Sequence, residues 1–234
     1  IGDINFFTMH SQGLLHTTTS QRSHILSHLA SSEKGLLVVG ELTNPSEIEW
    51  LRNNLHTIQW PIIVDASSGL SSIDHSGKIL AFEDVLHHQP TAFTPDIVIH
   101  LGNGLCTKKY ERWIQTLTCP ILVFNSRPIL SNPASASIER YQIHIQTLDW
   151  MLATMTHSTL MPWVETHNHT ILLALQDLQD PHGWNEVRIL QQGIQSISES
   201  GQLFIGNSMP IRDLNNYVLD CPPIPIASNR GASG

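Results

Sequence analysis

The sequence predicts an α/β fold in which a parallel sheet is covered by helices on both faces, in a Rossmann-like arrangement. Short apolar runs rich in β-branched residues alternate with segments whose apolar residues recur at helical spacing. Such alternation is typical of β-α-β units, whose crossover helices require a parallel sheet. The chain has 234 residues, which is enough for one large or two modest domains with a buried core.

Five strands and four helices are predicted in the first two thirds of the chain. In the second of these helices, Leu51 and Leu55 lie on one face and Pro45 favours the helix start. Residues 1–8 are interpreted as a further short strand. The other strands are residues 35–39, 61–64, 96–101, 120–124 and 141–145, and the helices are residues 21–30, 45–58, 107–117 and 148–155.

The last third of the chain predicts a connection followed by a second α/β unit. Residues 157–170 are polar and contain Pro162, and we interpret them as an irregular connection between domains. Helices are predicted near 171–178, 184–198 and 209–218, and strands over 202–206 and 224–227. The chain is therefore divided into residues 1–33, a linker or tail; 34–160, a Rossmann-like domain; 161–182, a connection; and 183–234, the start of a second domain.

Composition excludes several classes of function. The formal net charge of −8 argues against a nucleic-acid partner, which requires a basic face. The three cysteines, Cys106, Cys119 and Cys221, are widely separated and odd in number, so we expect no disulfide framework and a reducing cytoplasm. No apolar run approaches the roughly 20 residues that span a bilayer. A domain with small-molecule ligands is expected.

Residues 206–213, Gly-Asn-Ser-Met-Pro-Ile-Arg-Asp, join a predicted strand to a predicted helix. Ser208 is expected at the N-cap, where free N–H groups and the positive end of the helix dipole favour an anion. Asn207 and Ser208 would add side-chain donors, and Arg212 a planar fork for a carboxylate or phosphate. This pattern is also compatible with an ordinary capped helix whose Arg212 is solvated.

Residues 227–234, Ala-Ser-Asn-Arg-Gly-Ala-Ser-Gly, also follow a predicted strand. They are expected at the carboxyl edge of the sheet, where ligands bind in open α/β folds. Gly231 and Gly234 permit close backbone approach, and Arg230 supplies a second fixed positive charge. A flexible loop is the alternative for this segment by itself, but two Arg-bearing segments at one edge favour an anion site.

Together, residues 206–213 and 229–234 closely resemble the 2-succinyl-5-enolpyruvyl-6-hydroxy-3-cyclohexene-1-carboxylate synthases. The resemblance extends more loosely over nearly all of residues 34–234, with landmarks at 34–40, 60–65 and 101–108. It implies a Rossmann-like middle domain followed by the truncated start of a thiamine-diphosphate-binding α/β domain. Ile1 stands where a complete chain would begin with Met, and Gly234 closes a glycine-rich loop, so we expect an internal fragment.

The resemblance implies an enzyme of menaquinone or phylloquinone biosynthesis that uses thiamine diphosphate with Mg²⁺ or Mn²⁺. Such enzymes decarboxylate 2-oxoglutarate and add the resulting carbanion equivalent to isochorismate. Asn207 and Ser208 would lie beside the cofactor diphosphate. Arg212 and Arg230 would hold substrate carboxylates, and Lys108 would reach the site from the middle domain.

The resemblance also implies elements that this chain does not contain. The glutamate that activates the cofactor and the Gly-Asp…Asn metal-binding stretch would lie outside residues 1–234, so no catalytic or metal-binding residue is assigned and the chain by itself is expected to be inactive. The complete enzyme would be a homo-oligomer, a dimer or tetramer, in the cytoplasm, or in plastids of a photosynthetic eukaryote.

The 14 histidines raise the question of a metal site. His24 and His28 have i,i+4 spacing on a predicted helix, but the sequence offers no third ligand near them, and no H-E-x-x-H motif occurs. We therefore interpret the histidines as a compositional bias and predict no metal site.

Two other classes of function remain open. Residues 65–69 and 102–104 each follow a predicted strand, as in a non-catalytic Rossmann-like module that binds a nucleotide or small anion, although neither completes a G-x-G-x-x-G or Walker loop. A relative of acetohydroxyacid synthase, another thiamine-diphosphate enzyme, is the third hypothesis. Those enzymes lack the paired Arg segments.

Overall fold

A computed structural model describes residues 15–127, 138–177, 185–198, 200–219 and 221–228. The strand predicted over residues 1–8 and the whole of 229–234, including Arg230, lie outside these ranges. Five strands form the main sheet in the order β2-β1-β3-β4-β5, and every neighbouring pair is parallel. They are β1 Gly35–Val39, β2 Ile62–Val64, β3 Ile97–Leu101, β4 Ile121–Asn125 and β5 Ile138–Gln142.

The helices cover both faces of this sheet, and a smaller parallel pair of strands follows it. The pair consists of β6 Leu203–Ile205 and β7 Ile226–Ser228. The α-helices in the described ranges are α1 Thr19–Ala30, α2 Pro45–Asn54, α3 Phe82–His88, α4 Lys108–Ile114, α5 Asp149–Leu152, α6 Met161–Asp177, α7 Glu186–Gln195 and α8 Met209–Tyr217. The predicted α/β fold with a parallel sheet is confirmed.

Strand β1 shows why the sheet is buried on both faces. Successive side chains of a strand point to opposite faces. Leu37 and Val39 pack into a core with α1, α2 and α5, whereas Leu36 and Val38 pack into a second core with α3, α4 and α6. All residues of β1 to β4 are buried. A nearly continuous apolar run is typical of a strand covered on both faces, and it made β1 to β4 recognisable.

The fifth strand begins earlier than the sequence predicts. It was expected over residues 141–145, where Tyr141, Ile143 and Ile145 alternate with polar residues, but the structure has it at Ile138–Gln142. The strand lies at the edge of the sheet, and its first three residues are only half-buried. Ile143 and Ile145 are buried beyond the strand, so their alternation reflects core packing rather than sheet pairing.

The prediction of an irregular connection over residues 157–170 was wrong, because α6 runs without interruption from Met161 to Asp177. Pro162 lies in its first turn, where proline is tolerated because that N–H has no helical partner. The polar residues that suggested a loop bind another segment. Asn168 accepts a hydrogen bond from the Leu80 N–H (3.0 Å) and donates to the Lys78 carbonyl (2.7 Å).

The predicted strand–helix–strand pattern at the end of the chain is confirmed as β6, α8 and β7. These elements and α7 form a third apolar core, in which Ile194, Ile205 and Leu214 are buried. Ala66 and Cys106, from loops that follow β2 and β3, pack against the same core. The second α/β unit therefore rests on the carboxyl edge of the main sheet.

Within the described ranges, no helix is long and apolar enough to cross a membrane. Cys106, Cys119 and Cys221 all lie in these ranges, and none of them forms a disulfide.

Helix α3 ends at a residue whose conformation yields a stability prediction. Gln89 has φ 45° and ψ 59°, and its N–H donates to the Val85 carbonyl. Glycine adopts this left-handed conformation without the Cβ clash that other residues incur. We expect Gln89→Gly to raise the free energy of unfolding by about 0.5–1 kcal/mol, measured by urea denaturation.

The matched control is Gln115→Gly at the end of α4. Gln115 is also exposed but has φ −71°, so glycine there only increases the entropy of the unfolded chain and should destabilise. Equal effects of the two substitutions would contradict this account of Gln89.

Candidate functional site

The crevice that binds ligands in many parallel sheets is closed in this protein. Ligands usually bind where the strand order reverses, which is between β1 and β3 here. The loops that follow these strands contact each other directly, and the Asn103 N–H donates to the Glu41 carbonyl (2.9 Å). A Cβ atom on Gly40 would lie 1.8 Å from the Asn103 carbonyl oxygen, and one on Gly102 would lie 2.6 Å from that of Glu41. This contact leaves no space for a nucleotide between the two loops.

Polar side chains at this edge satisfy one another. Asn103 donates to a Glu41 carboxylate oxygen (3.2 Å) and accepts from the Asn125 amide. Nε2 of the buried His100 lies 2.7 Å from the Asn103 carbonyl oxygen, so it carries the proton, and Nδ1 then accepts from the Tyr110 hydroxyl (2.7 Å). The loop at 102–104, which suggested a nucleotide site, therefore has a structural role at this edge.

Asp65, the residue that follows β2, is the centre of the contact between the two units. It is fully buried, and one carboxylate oxygen accepts from the N–H and hydroxyl of Ser67. The other oxygen accepts from the Cys106 N–H (2.8 Å) and from the Asn215 side-chain amide (3.3 Å). A buried carboxylate needs such donors to offset its lost hydration. Asp65 thus joins the loops after β2 and β3 to helix α8.

Two adjacent asparagines hold α8 in place. Asn215 also accepts a hydrogen bond from the Ala66 N–H (2.6 Å). Asn216 accepts from the N–H of Glu83 (3.2 Å), in the first turn of α3, and donates to the Arg212 carbonyl (2.8 Å) within α8. Asparagine is a weak helix former, so its presence twice in α8 is explained by these contacts rather than by helix propensity. They fix the orientation of α8 on the first unit.

The turn that begins α8 has a strained backbone. Ser208 occupies the N-cap position as predicted, but it has φ 77° and ψ −127°, and its side chain makes no capping hydrogen bond. Ser208 is therefore the N-cap residue by position, but its hydroxyl does not cap the helix. Instead, Arg212 Nε donates to the Ser208 carbonyl (3.0 Å), and a terminal guanidinium nitrogen lies 3.5 Å from the hydroxyl. Such strain is common at ligand-binding turns.

The same turn is accessible to an anion. Gly206 and Ser208 are exposed, and a Cβ atom built on Gly206 would meet nothing within 4 Å. The turn therefore leaves open space beside the N-terminus of the nine-residue helix α8. N–H groups at that end and the positive end of the helix dipole suit a diphosphate. Asn207 and Ser208, the predicted cofactor residues, both lie in this turn.

Lys109, rather than its neighbour Lys108, pairs with the acidic residues of α3. Its Nζ lies 3.6 Å from a carboxylate oxygen of Glu83 and 4.0 Å from one of Asp84. Lys108 is exposed at the first position of α4, after the N-cap Thr107. The predicted substrate residues Lys108 and Arg212 are thus on different elements, α4 and α8, and the structure records no contact between their side chains. Arg230 lies outside the described residues.

Glu83 is a buried acid close to Lys109. It is 1% exposed, and desolvation raises the pKa of its carboxyl. Lys109, the Thr107 hydroxyl and Arg212 act in the opposite direction and lower that pKa, which places all three in its electrostatic neighbourhood. The net effect is a raised pKa, so Glu83 takes up a proton at a higher pH than an exposed carboxyl would.

Sequence reasoning missed most of the residues that hold α8. Asp65 was noticed only as part of a weak nucleotide-binding pattern, and Glu83 lies in α3, which was not predicted at all. The Asn215–Asn216 pair was the available signal, since two poor helix formers in the middle of a helix usually have a tertiary role.

One group of three side chains in the described ranges could hold a metal ion. It consists of His24 and His28 of α1 and Glu139 of β5. Strand β5 is at the opposite edge of the sheet from β2, which precedes Asp65. This group is therefore separate from the site at α8.

Comparison with known proteins identifies the fold and its relatives. Residues 8–205 match the protein-family model described as "Middle domain of thiamine pyrophosphate". Two similar relatives are the 2-succinyl-5-enolpyruvyl-6-hydroxy-3-cyclohexene-1-carboxylate synthases of Staphylococcus aureus strains MSSA476 and MW2. Each is 29% identical over 226 residues, which cover 94% of this chain and 40% of the relative.

The synthase of the bovine strain RF122 / ET3-1 of Staphylococcus aureus is also 29% identical, over 224 residues. This chain spans about 40% of the length of the curated relatives that it matches. The five-stranded parallel sheet and the match over residues 8–205 agree, and the chain belongs to the family of thiamine pyrophosphate enzyme middle domains.

Proposed function

We propose that this chain is part of a thiamine-diphosphate-dependent enzyme that decarboxylates 2-oxoglutarate and adds the product to isochorismate. In this proposal residues 34–160 form the middle domain, and residues 183–234 begin the cofactor-binding domain. The observation that carries the proposal is the turn at 206–208, where a strained, exposed N-cap and Arg212 stand at one helix end beside open space. The similar relatives are 2-succinyl-5-enolpyruvyl-6-hydroxy-3-cyclohexene-1-carboxylate synthases, which supports the same reaction.

The cofactor is the electron sink for decarboxylation and carbon–carbon bond formation, and it requires Mg²⁺ or Mn²⁺ to bind its diphosphate. The residues of this chain would position charge. Asn207, Ser208 and the N–H groups that begin α8 would hold the diphosphate. No residue of this chain is proposed as a ligand of that metal ion.

The negative charge of the proposed substrates accounts for the cationic side chains assigned to the site. 2-Oxoglutarate carries two carboxylates and isochorismate also carries two, so binding and decarboxylation need fixed positive charge nearby. The terminal guanidinium nitrogens of Arg212 would bind a substrate carboxylate, while its Nε retains the hydrogen bond to the Ser208 carbonyl. Arg230 and Lys108 would supply further charge, and Lys109 would support Lys108 by anchoring α4 to Glu83.

The alternative, a module that binds a nucleotide, is disfavoured because the expected nucleotide site is closed. Its site would lie between β1 and β3, but Gly40 and Asn103 are in backbone contact there. The site at α8 remains the place where the described residues could bind an anion.

The reaction is tested with the purified enzyme that carries this chain, supplied with thiamine diphosphate and Mg²⁺. We expect CO₂ release from 2-oxoglutarate together with isochorismate-dependent formation of the cyclohexene-carboxylate adduct, followed by mass spectrometry. Turnover of pyruvate in place of 2-oxoglutarate would contradict the proposal and favour a relative of acetohydroxyacid synthase.

Arg212→Ala should impair substrate use in this enzyme. A hydrogen bond to a charged group contributes about 1.5–3 kcal/mol, so KM for 2-oxoglutarate or isochorismate should rise, or kcat fall, by about 10-fold or more. Steady-state kinetics measure this. Arg112→Ala, which removes an exposed arginine of α4, is the matched control and should leave the kinetics unchanged. Wild-type kinetics for Arg212→Ala would refute the assigned role.

Ser208→Gly should separate stability from binding. Glycine tolerates φ 77° without strain, so the free energy of unfolding should rise by about 1 kcal/mol. Loss of the hydroxyl should at the same time weaken the binding of thiamine diphosphate, which calorimetry would measure as a higher Kd.

The control for this variant is Ser196→Gly at the end of α7. Ser196 has φ −80° and is exposed, so glycine should destabilise the protein and leave the Kd unchanged. If Ser208→Gly were to bind thiamine diphosphate as tightly as the wild type, its hydroxyl would have no part in cofactor binding.

A further inference from the structure

Two histidines of α1 and a glutamate of β5 come together although 115 residues separate His24 from Glu139. His24 Nε2 lies 3.0 and 3.1 Å from the two Glu139 carboxylate oxygens. His28 Nε2 lies 3.3 Å from His24 Nε2 and 3.6 Å from Glu139 Oε1. The i,i+4 spacing puts both rings on one face of α1. Three potential metal-ligating atoms therefore form a small triangle.

The size of this triangle matches a metal ion. Zn²⁺ binds imidazole nitrogen and carboxylate oxygen at about 2.0–2.2 Å, so ligand atoms at the corners of a tetrahedron around it are about 3.3–3.6 Å apart. The three separations here, 3.1, 3.3 and 3.6 Å, agree with that edge to within a few tenths of an ångström. No side chain has to change rotamer to complete the triangle.

From this geometry we propose that His24, His28 and Glu139 form a binding site for a divalent transition-metal ion, with Zn²⁺ the best fit. Two imidazoles and one carboxylate are the ligands such ions prefer, whereas Ca²⁺ and Mg²⁺ prefer oxygen ligands only. The side chains of His24, His28 and Glu139 are 50%, 26% and 38% exposed, so water can complete the coordination. The site is independent of the proposed reaction and of its Mg²⁺ or Mn²⁺.

The residue that orients the carboxylate is already in place. The hydroxyl of Tyr141, which is buried, donates to Glu139 Oε2 (2.7 Å) and leaves Oε1 toward His28. Hydrogen bonds of this kind fix metal-binding carboxylates and raise metal affinity. Arg140, between these two residues in β5, points to the other face of the sheet by strand alternation, so it does not place its charge in the site.

The ion would fasten α1 to the edge strand of the sheet. Helix α1 is anchored by the buried Ile25 and Leu29, and the histidine face of the helix lies next to β5. An ion bound to both elements stabilises the folded state by mass action, because the unfolded chain does not bring these ligands together. The chemical role is structural, a link between an amino-terminal helix and the last strand of the sheet.

Calorimetric titration of the metal-free protein that carries this chain with Zn²⁺ tests the proposal. Because the chain has 14 histidines, the quantity of interest is the difference between wild type and variants. We expect one Zn²⁺ fewer to bind in the triple variant His24→Gln/His28→Gln/Glu139→Gln. Each single variant should weaken Zn²⁺ binding at that site by at least about 10- to 100-fold, since even residues that only orient a ligand contribute that much. His88→Gln, which removes an exposed histidine of α3, is the matched control and should bind as wild type.

Two further measurements keep the test decisive. Far-UV circular dichroism confirms that each variant is folded, and Co²⁺ should give the intense visible absorption of a four- or five-coordinate ion in wild type but not in the triple variant. Zn²⁺ should raise the melting temperature of the wild type and of His88→Gln only. Equal Zn²⁺ stoichiometry and affinity in the wild type and the folded triple variant would overturn the proposal.

Discussion

The buried carboxylate of Asp65 is the contact on which the arrangement of this protein depends. Its four hydrogen bonds come from its own turn, from the loop after β3 and from helix α8. An ionised carboxylate without donors is costly to bury, so the three segments cannot move apart without exposing or orphaning it. Asp65 and Asn215 thereby set the position of α8, and α8 carries Ser208 and Arg212. The candidate site is built on the second unit but oriented by the first.

Among the described loops at the carboxyl edge of the sheet, those after β1 and β3 leave no ligand crevice between them. Gly40 and Gly102 let the loops after β1 and β3 approach until their backbones touch, and Asn103 satisfies the polar groups that remain. The second unit packs on the loops at this edge. In the proposed arrangement the Rossmann-like sheet would contribute positions and a few charges, such as Lys108 and Lys109, while the proposed anion-binding turn begins α8.

The sequence predicted what depends on local pattern. Strands β1 to β4 are almost entirely apolar, and the turn before α8 follows an apolar strand and contains small polar residues and a proline, so both were recognisable. Helix α6 was mistaken for a connection because its polar residues, such as Asn168, bind a distant loop at 78–80. Likewise, no pattern in the sequence near His24 predicts its contact with Glu139. The contacts of Asp65 with Asn215 and of Glu83 with Asn216 are equally non-local. Sequence periodicity reports how a segment folds but not which partner it meets.

The central claim, that Asn215 and Asp65 hold the site helix on the sheet, is tested most directly by amide hydrogen exchange in Asn215→Ala. Alanine is the better helix former, so α8 gains intrinsic helicity while losing its contacts to Asp65 and Ala66. We predict that amides of β6 and α8 exchange at least about 10-fold faster while β1 and β3 keep their protection. Asn53→Ala, at an exposed position of α2, should show no loss. Unchanged protection in β6 and α8, or a uniform loss across the whole chain, would contradict the account.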